Sequence, residues 1–330
     1  MSFSMVSAAD TRFHVIQRRL AEVLPGAPAF GGSGSLELLS PFVQEKPRLD
    51  PAELLEGKKL KARAVPGDPA ATFTAFLDGT QTSRVVQFIA GVSLVHGTVA
   101  AVVRERRDRR MQTWRQPLVS RGLYVPRTLL PPDAQAALAD VGIEVFDTAA
   151  NRDLDSIHPL AIQDAALQAV QRHRSALERE LAESFIADAE GPLFVDGGIS
   201  ESPSVATSPN AIGVVKSHQQ LYVHGDDLPV VLALRHGERS SVTIVKPRTR
   251  NPVASWYLRL RDSGGRDPLW GLVRVEMAVP GGSAAETTRR ADEVSRWVLA
   301  EALPVALPDG RWDKMVYGIR DCEEFLRAIQ

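Results

Sequence analysis

Two apolar segments of this chain each lead into an aspartate that is followed by glycine. They read Phe76-Leu77-Asp78-Gly79-Thr80 and Phe194-Val195-Asp196-Gly197-Gly198. If each segment is a strand, both carboxylates lie at strand ends, where ligands gather in open α/β sheets. Carboxylate oxygens suit Mg²⁺ and Mn²⁺, and a pair of such ions can clamp the attacking and leaving oxygens of a phosphodiester displacement. An Asp-Gly after a strand is also a common turn, so each motif alone leaves both interpretations open.

A long predicted helix before the second motif supplies a third carboxylate. Its apolar stripe, at helical period, consists of Val170, Leu177, Leu181 and Phe185. Arg174 falls inside this stripe, and Glu178 lies at its edge one turn further on. Because an unpaired buried charge is costly, either the two side chains pair and stabilise the helix, or Glu178 is a metal ligand and Arg174 orients it or a phosphate. Glu180 lies further round the helix and is the alternative to Glu178.

Basic side chains near these motifs are candidates for contact with phosphate. Lys216 ends the segment Ile212-Gly213-Val214-Val215, and an ammonium group there can stabilise charge that develops on a scissile phosphate. An ordinary solvated lysine is the alternative. Two further basic stretches contain the candidate DNA contacts, which are Arg104, Arg106, Arg107, Arg248 and Arg250. The first stretch is interleaved with acidic residues, so a solvated surface explains it equally well.

The elements expected around these residues form a mixed α/β pattern without internal repeats. The expected strands cover 73–77, 85–94, 98–103, 193–195, 211–215, 230–234, 241–245, 255–260 and 272–277. The first ends at Asp78-Gly79, a hairpin turn is expected at His96-Gly97, and the segment from Arg115 to about Ser156 is expected to be irregular. Helices are expected over 159–188 and 286–303 and from about 321.

An amphipathic helix is expected near the start of the chain, ending at Pro25. Its apolar side chains Phe13, Ile16 and Leu20 could bury surface against a second copy or a ring-shaped partner. We therefore expect a homodimer with twofold symmetry.

The composition indicates a cytoplasmic globular protein. The chain has 330 residues, of which 44% are hydrophobic, and a formal net charge of -1. A global positive charge that would bind duplex DNA is thus excluded, and DNA contact must come from local patches or through a partner. The single cysteine, Cys322, excludes an intramolecular disulfide framework and a cysteine-cluster zinc site. No apolar run approaches membrane-spanning length, and the N-terminus lacks a secretory pattern.

The ordered set of motifs resembles the NurA family of nucleases. It comprises the segment around Asp78, the Arg174-x-x-x-Glu178 helix, the segment around Asp196 and the strand that ends at Lys216. The closing Tyr317-Gly318-Ile319-Arg320-Asp321 resembles the last motif of that family, although it lacks the proline-rich lead-in. The resemblance covers the chain from about Ala71 to its end.

The resemblance implies a ribonuclease-H-like α/β fold, a mixed sheet flanked by helices. In this interpretation residues 1–70 hold an N-terminal helix and a wrapping segment, and residues 71–330 form the nuclease domain with an insertion at about 104–156. It also implies DNA cleavage that depends on Mn²⁺ or Mg²⁺, by a dimer docked on a hexameric HerA-type ATPase that translocates DNA in end resection or anti-phage defence. Carried over by residue, the metal ligands are Asp78, Glu178, Asp196 and Asp321, and Lys216 contacts the phosphate.

Two other interpretations stay open at this point. The two Asp-Gly motifs also resemble the phosphate-binding hairpins of actin-like and sugar-kinase-like phosphotransferases, although a residue that those hairpins carry between aspartate and glycine is missing here. A catalytically inactive scaffold that caps an ATPase ring is the third interpretation, which separated carboxylates would favour.

Overall fold

One large mixed β-sheet, flanked by helices, dominates the structure. The computed structural model describes residues 8–23, 47–108, 110–140, 142–149, 158–246, 250–264, 266–279, 281, 283–302 and 317–329, with only the backbone at 8–14 and 317. The strands are β1 (Arg48–Asp50), β2 (Glu53–Leu54), β3 (Ala62–Ala64), β4 (Ala75–Ile89), β5 (Val92–Arg107), β6 (Arg110–Val125), β7 (Glu144–Asp147), β8 (Leu193–Asp196), β9 (Ala211–Val215), β10 (Gln220–Tyr222), β11 (Glu238–Ser240), β12 (Thr243–Val245), β13 (Val253–Arg259) and β14 (Leu272–Met277). The α-helices are α1 (Ala8–Val23), α2 (Pro132–Asp140), α3 (Pro159–Asp188), α4 (Pro203–Thr207), α5 (Leu228–Leu232), α6 (Ala284–Glu301) and α7 (Tyr317–Ile329).

The central strands combine antiparallel and parallel pairing. Along the main path the order is β2-β12-β13-β14-β9-β8-β4-β5-β6-β7, and β11 joins at β13 and carries β3. Strands β4, β5 and β6 are successively antiparallel, whereas β8 is parallel to β4 and β9 is parallel to β8. The carboxyl ends of β4, β8 and β9 therefore point in the same direction. A separate two-stranded parallel sheet pairs β1 with β10.

Alternation along β4 divides the core between the two faces of the sheet. Phe76 packs in one cluster with Phe194 and with side chains of α6 and α7, such as Val294 and Cys322. Its neighbour Leu77 points the other way and packs with Leu181 and Phe185 of α3. Each side chain at the centre of the sheet is thus covered by a helical layer.

Several predicted elements are confirmed. The helix expected over 159–188 is α3, with proline in its first turn and His158 as its N-cap, which accepts a hydrogen bond from the Leu160 N–H at 3.2 Å. The strands expected over 211–215 and 272–277 are β9 and β14. Within the described ranges, no helix combines the length and the apolar character that a membrane crossing requires.

The expected end of the first strand at Asp78-Gly79 is wrong. Strand β4 continues to Ile89, and the hairpin turn is Ala90-Gly91, with φ of 49° and 83°. Two successive residues of positive φ match the twist of a two-residue hairpin. Gly97, the predicted turn, lies within the ladder opposite Ser83. Glycine is needed there because a Cβ would collide with the Tyr124 ring and with Val170.

The insertion expected at about 104–156, irregular after Arg115, consists largely of regular elements among its described residues. It contains the end of β5, all of β6, α2 and β7, and β6 pairs with β5 along most of its length. Half of the residues of β6 are half-buried, and the strand lacks the regular alternation of buried and exposed residues by which a strand is recognised in sequence.

The strand expected at 230–234 is a short helix instead. Residues Leu228–Leu232 form α5, with Pro229 in the first turn and Val231 buried. Proline fits the first turn of a helix, and here tertiary packing overrides the strand preference of adjacent valines.

Apolar side chains of helix α1 pack against the core of the same chain. Leu20 is fully buried in a cluster with Val86, Leu94 and Leu123, and Ile16 packs against the same cluster. Leu20 therefore presents no free apolar surface to a second copy, whereas Ile16 is only partly buried, and the expected dimer stays a prediction. The side chain of Phe13 lies outside the described part of the structure.

Candidate functional site

Asp78 and Asp196 lie next to each other on parallel strands. Leu77 of β4 pairs with Val195 of β8, so the aspartates that follow are neighbours in the same register. By alternation both share the face of Phe76 and Phe194. Asp78 is buried, with 7% of its surface exposed, and Asp196 ends its strand at the rim.

Glu178 approaches the two aspartates from the opposite layer. It belongs to α3, which covers the face of Leu77, and its carboxylate occupies the space that a Cβ at Gly79 would need. Glu178 therefore reaches the sheet where the backbone is bare, one residue after Asp78. Glu180 is exposed, so of the two glutamates Glu178 is the one directed at the sheet.

The three carboxylates influence each other electrostatically. Burial raises the pKa of Asp78 well above its ordinary value, and the charges of Asp196 and Glu178 raise it further. Lys216 and the Gly79 N–H, which donates to Asp78 Oδ1 at 2.8 Å, act in the opposite direction. Asp78 is thus a buried acid whose negative charge is poorly compensated.

Glu178 has the same character. Burial, followed by the charges of Asp196 and Glu201, raises its pKa to about 7, against the lowering effect of Arg174. Glu201, which follows Asp196 by five residues, was not among the predicted site residues because it belongs to none of the motifs. Uncompensated carboxylates of this kind occur at sites that bind cations or transfer protons.

Two basic side chains lie against these acids. Lys216 Nζ donates to Asp196 Oδ2 at 2.7 Å, and only 10% of the lysine side chain is exposed. Arg174 Nε lies 3.4 Å from Glu178 Oε1. Lys216 is therefore not an ordinary solvated lysine, and the predicted pairing of Arg174 with Glu178 is present.

A pocket of about 170 Å³ opens onto this group. Its wall includes Glu178, Asp196, Glu201, Arg174 and Arg250. Asp78 is not part of that wall, and its side chain is buried. Solvent thus reaches Glu178 and Asp196 directly.

A larger groove of about 1350 Å³ continues from the pocket and shares Arg179, Glu201 and Arg250 with it. The basic residues that line the groove are Arg172, Arg179, Lys216, Arg250 and Arg274. Its lining also includes Trp270, His218 and two acids, Glu201 and Asp267. The prediction for α3 rested on its buried face alone. Arg172 and Arg179 lie on its polar face, and this pair of arginines is the feature of the sequence from which the groove could have been predicted.

Most arginines of the first basic stretch are engaged within the protein. Arg104 binds Asp321 Oδ1 at 2.6 Å, and Arg106 contacts both carboxylate oxygens of Glu301 at 2.8 and 2.6 Å. Arg107 pairs with Glu105 but remains largely exposed. Arg104 and Arg106 therefore link the sheet to α7 and α6 rather than facing the pocket, and Asp321 is held by Arg104.

Arg250 pairs with Glu201 at 2.8 Å at the mouth of the pocket. Arg248, the other candidate of that stretch, lies outside the described residues.

The donor chemistry of the site fits a divalent cation, although its side chains are not grouped around one position. Asp78, Glu178 and Asp196 offer oxygen atoms whose mutual repulsion a cation would relieve. Among the described residues, no three Asp, Glu, His or Cys side chains form a ready-made metal-binding group. Lys216 and Arg174 occupy positions against two of the three carboxylates.

No family model and no curated protein matches this chain. The fold and the geometry of the site are therefore the grounds on which a function is inferred.

Proposed function

We propose that this chain is a metal-dependent deoxyribonuclease with a ribonuclease-H-like core. The observation that carries the proposal is the juxtaposition of Asp78 and Asp196 on neighbouring parallel strands, with Glu178 close enough to raise the pKa of Asp78. Buried acids that repel each other destabilise the protein unless a cation or a proton compensates them. The arrangement β6-β5-β4-β8-β9, three antiparallel strands followed by two parallel ones, supports the fold assignment.

In this proposal Asp78, Glu178 and Asp196 would hold Mn²⁺ or Mg²⁺. Such ions, when bound, supply an activated water and neutralise charge on the phosphodiester. The protein's own side chains would position the DNA phosphate at these ions. Lys216, released from Asp196, would contact the scissile phosphate, and Arg174 would orient Glu178 or a neighbouring phosphate.

The groove supports nucleic acid as the substrate. Its cations line a path that leads to the pocket of Glu178 and Asp196, as binding of a phosphate backbone requires. Because the formal net charge is -1, a local path of this kind must supply the attraction. We propose that a HerA-type hexameric translocase delivers the DNA and that the nuclease docks on it as a homodimer.

A catalytically inactive scaffold on such an ATPase ring is the second candidate. It is favoured by the placement of Asp78 and Glu178 on opposite faces of the sheet, because ligands of a shared ion must converge. It is also favoured by the ion pairs that Asp196 and Glu178 already make, and by the lack of a ready-made metal group among the described side chains. In that case Lys216 and Arg174 would be permanent partners of the acids.

Asparagine substitutions at the two aspartates separate these proposals. Asp78→Asn and Asp196→Asn should remove most Mn²⁺-dependent cleavage of a labelled single strand and of a duplex, because an amide cannot neutralise a divalent ion. The matched control is Asp188→Asn, an exposed aspartate that pairs with Arg115 at the end of α3. Cleavage is measured across a Mn²⁺ titration, with thermal denaturation as the check of folding.

If both variants cut as fast as wild type at saturating Mn²⁺, the two-carboxylate site is wrong. If the wild-type chain cuts DNA under no condition, with or without an ATPase partner, the scaffold becomes the first candidate.

A further inference from the structure

The turn that follows Asp196 rests on a second, buried carboxylate that belongs to a different strand. Glu276 of β14 has 2% of its surface exposed, and its Oε2 accepts a hydrogen bond from the Ile199 N–H at 2.9 Å. Its Oε1 pairs with Arg274, two residues earlier on the same strand. Arg274 therefore neutralises the charge of Glu276 at Oε1, while Oε2 binds the backbone of the turn.

The backbone of this turn leaves little room for another arrangement. Gly197 has a φ of 134°, a conformation that favours glycine, and its N–H donates to Val214 O at 3.1 Å. A Cβ at Gly198 would lie 3.0 Å from Glu276 Oε2. The turn is thus held by β9 at Gly197 and by Glu276 at Ile199, and Gly198 leaves room for the Glu276 carboxylate.

We propose that Glu276 is a positioning residue for Asp196. It fixes the turn that directs the Asp196 carboxylate towards Asp78 and Lys216, and it makes no contact with a substrate. This inference rests on the proposed function, because it assigns to Glu276 the geometry of a metal ligand. Groups that orient metal ligands in this way influence metal affinity strongly without binding the ion themselves.

Arg274 links this support to the groove. Its guanidinium lies 4.8 Å from the centre of the Tyr222 ring and 3.5 Å from Ser255 Oγ, and the side chain contributes to the groove wall. The same ion pair therefore contacts the groove on one side and the Asp196 turn on the other.

A second buried ion pair provides a matched control. Glu56 is 2% exposed, pairs with the fully buried Arg239 at 2.6 Å, and accepts the Val242 N–H at 2.9 Å. It has the chemistry of Glu276 but contributes to neither the pocket nor the groove. Loss of either glutamate leaves a buried arginine without its full partner, so both should lower the denaturation temperature.

The experiment compares Glu276→Gln with Glu56→Gln at a temperature at which both are folded. Mn²⁺ affinity is measured by calorimetry, and hydrogen exchange of the peptide over 196–201 by mass spectrometry. For Glu276→Gln we expect Mn²⁺ affinity to fall about 10- to 100-fold and exchange in the turn to become faster. For Glu56→Gln we expect both quantities to remain as in wild type.

Gly198→Ala tests the same support while keeping both charged side chains. The added methyl group would lie 3.0 Å from Glu276 Oε2, so the turn and the carboxylate must separate and Mn²⁺ affinity should again fall. Gly225→Ala is its control, because a Cβ at Gly225 has no atom of the structure within 4 Å and φ is not positive there.

Unchanged Mn²⁺ affinity and unchanged exchange in Glu276→Gln would overturn the inference. The same result for Glu276→Gln and Glu56→Gln would also overturn it, because the effect would then be general destabilisation. A wild-type chain that neither binds Mn²⁺ nor cleaves DNA overturns the proposed function instead. Faster exchange in the turn of Glu276→Gln would in that case still establish that Glu276 fixes its conformation.

Discussion

The carboxylate of Glu178 fills the space above Gly79, so α3 approaches the sheet at the one position of β4 that carries no side chain. The helical layer thus places an acid over the residue that follows Asp78, whereas the Asp78 side chain points to the opposite face of the sheet. Burial without a full complement of opposite charge gives both acids a raised pKa.

Gly79→Ala should destabilise the protein by about 1–3 kcal/mol, because the methyl group forces the Glu178 carboxylate or the helix to move. The free energy of unfolding is measured in urea, with Gly225→Ala as the control in open space. The double variant Gly79→Ala/Glu178→Ala should recover part of the loss, since the obstructing carboxylate is gone. Wild-type stability of Gly79→Ala would show that Glu178 does not lie over the strand.

The pKa of Glu178 predicts a pH dependence of stability. In the folded protein this pKa is raised from 4.5 to about 7, so between these values the folded state retains a proton that the unfolded state has lost. The contribution of Glu178 to stability therefore falls as pH rises from about 4.5 to about 7 and stays low above that range. A shift of this size corresponds to at most roughly 3 kcal/mol.

Glu178→Gln should consequently be more stable than wild type at pH 8 in EDTA and similar to it at pH 5, because the amide carries no charge. Urea denaturation at the two pH values measures this difference. Glu180→Gln, on the exposed side of the same helix, should behave as wild type at both. A Glu178→Gln variant that loses stability at pH 8 would mean that the Arg174 pair outweighs burial.

Lys216→Ala should separate binding of phosphate from binding of metal. Loss of a donor to the developing charge reduces cleavage by about 10²–10³-fold in rate. Mn²⁺ affinity should not fall, because the lysine competes with a cation for Asp196. The control is Lys246→Ala. Lys246 pairs with Glu53 at the surface, where both side chains are largely exposed, whereas only 10% of the Lys216 side chain is exposed. A parallel loss of metal affinity and rate in Lys216→Ala would contradict this division of roles.

Charge-reversal variants distinguish DNA binding in the groove from DNA binding at the first basic stretch. Arg179→Glu, in the groove, should weaken binding to all DNA sequences and reduce the slope of log affinity against log salt by about 0.7–1. Arg289→Glu, an exposed arginine of α6 outside the groove, is the control. Binding is measured by fluorescence anisotropy over a salt series. If Arg107→Glu has the larger effect, the DNA follows the β5–β6 hairpin instead.

Local sequence patterns were sufficient for the elements that carry the site. The apolar period of 3.6 residues and the proline at its start identified α3, and short apolar runs identified β8 and β9. The same patterns are enough to single out Asp78, Asp196, Glu178 and Lys216 as candidate site residues. These features depend on residues close together in the chain, where periodicity and turn preferences act.

Only the tertiary structure decided how these residues face each other. That Asp78 is buried on one face while Glu178 arrives from the other follows from the pairing of β4 with β8 and from the packing of α3 on bare backbone at Gly79. The engagement of Arg104 with Asp321 and of Glu276 with Ile199 joins residues 217 and 77 positions apart. Such contacts arise because buried charges must find partners wherever the fold brings them, and a linear pattern does not contain that information.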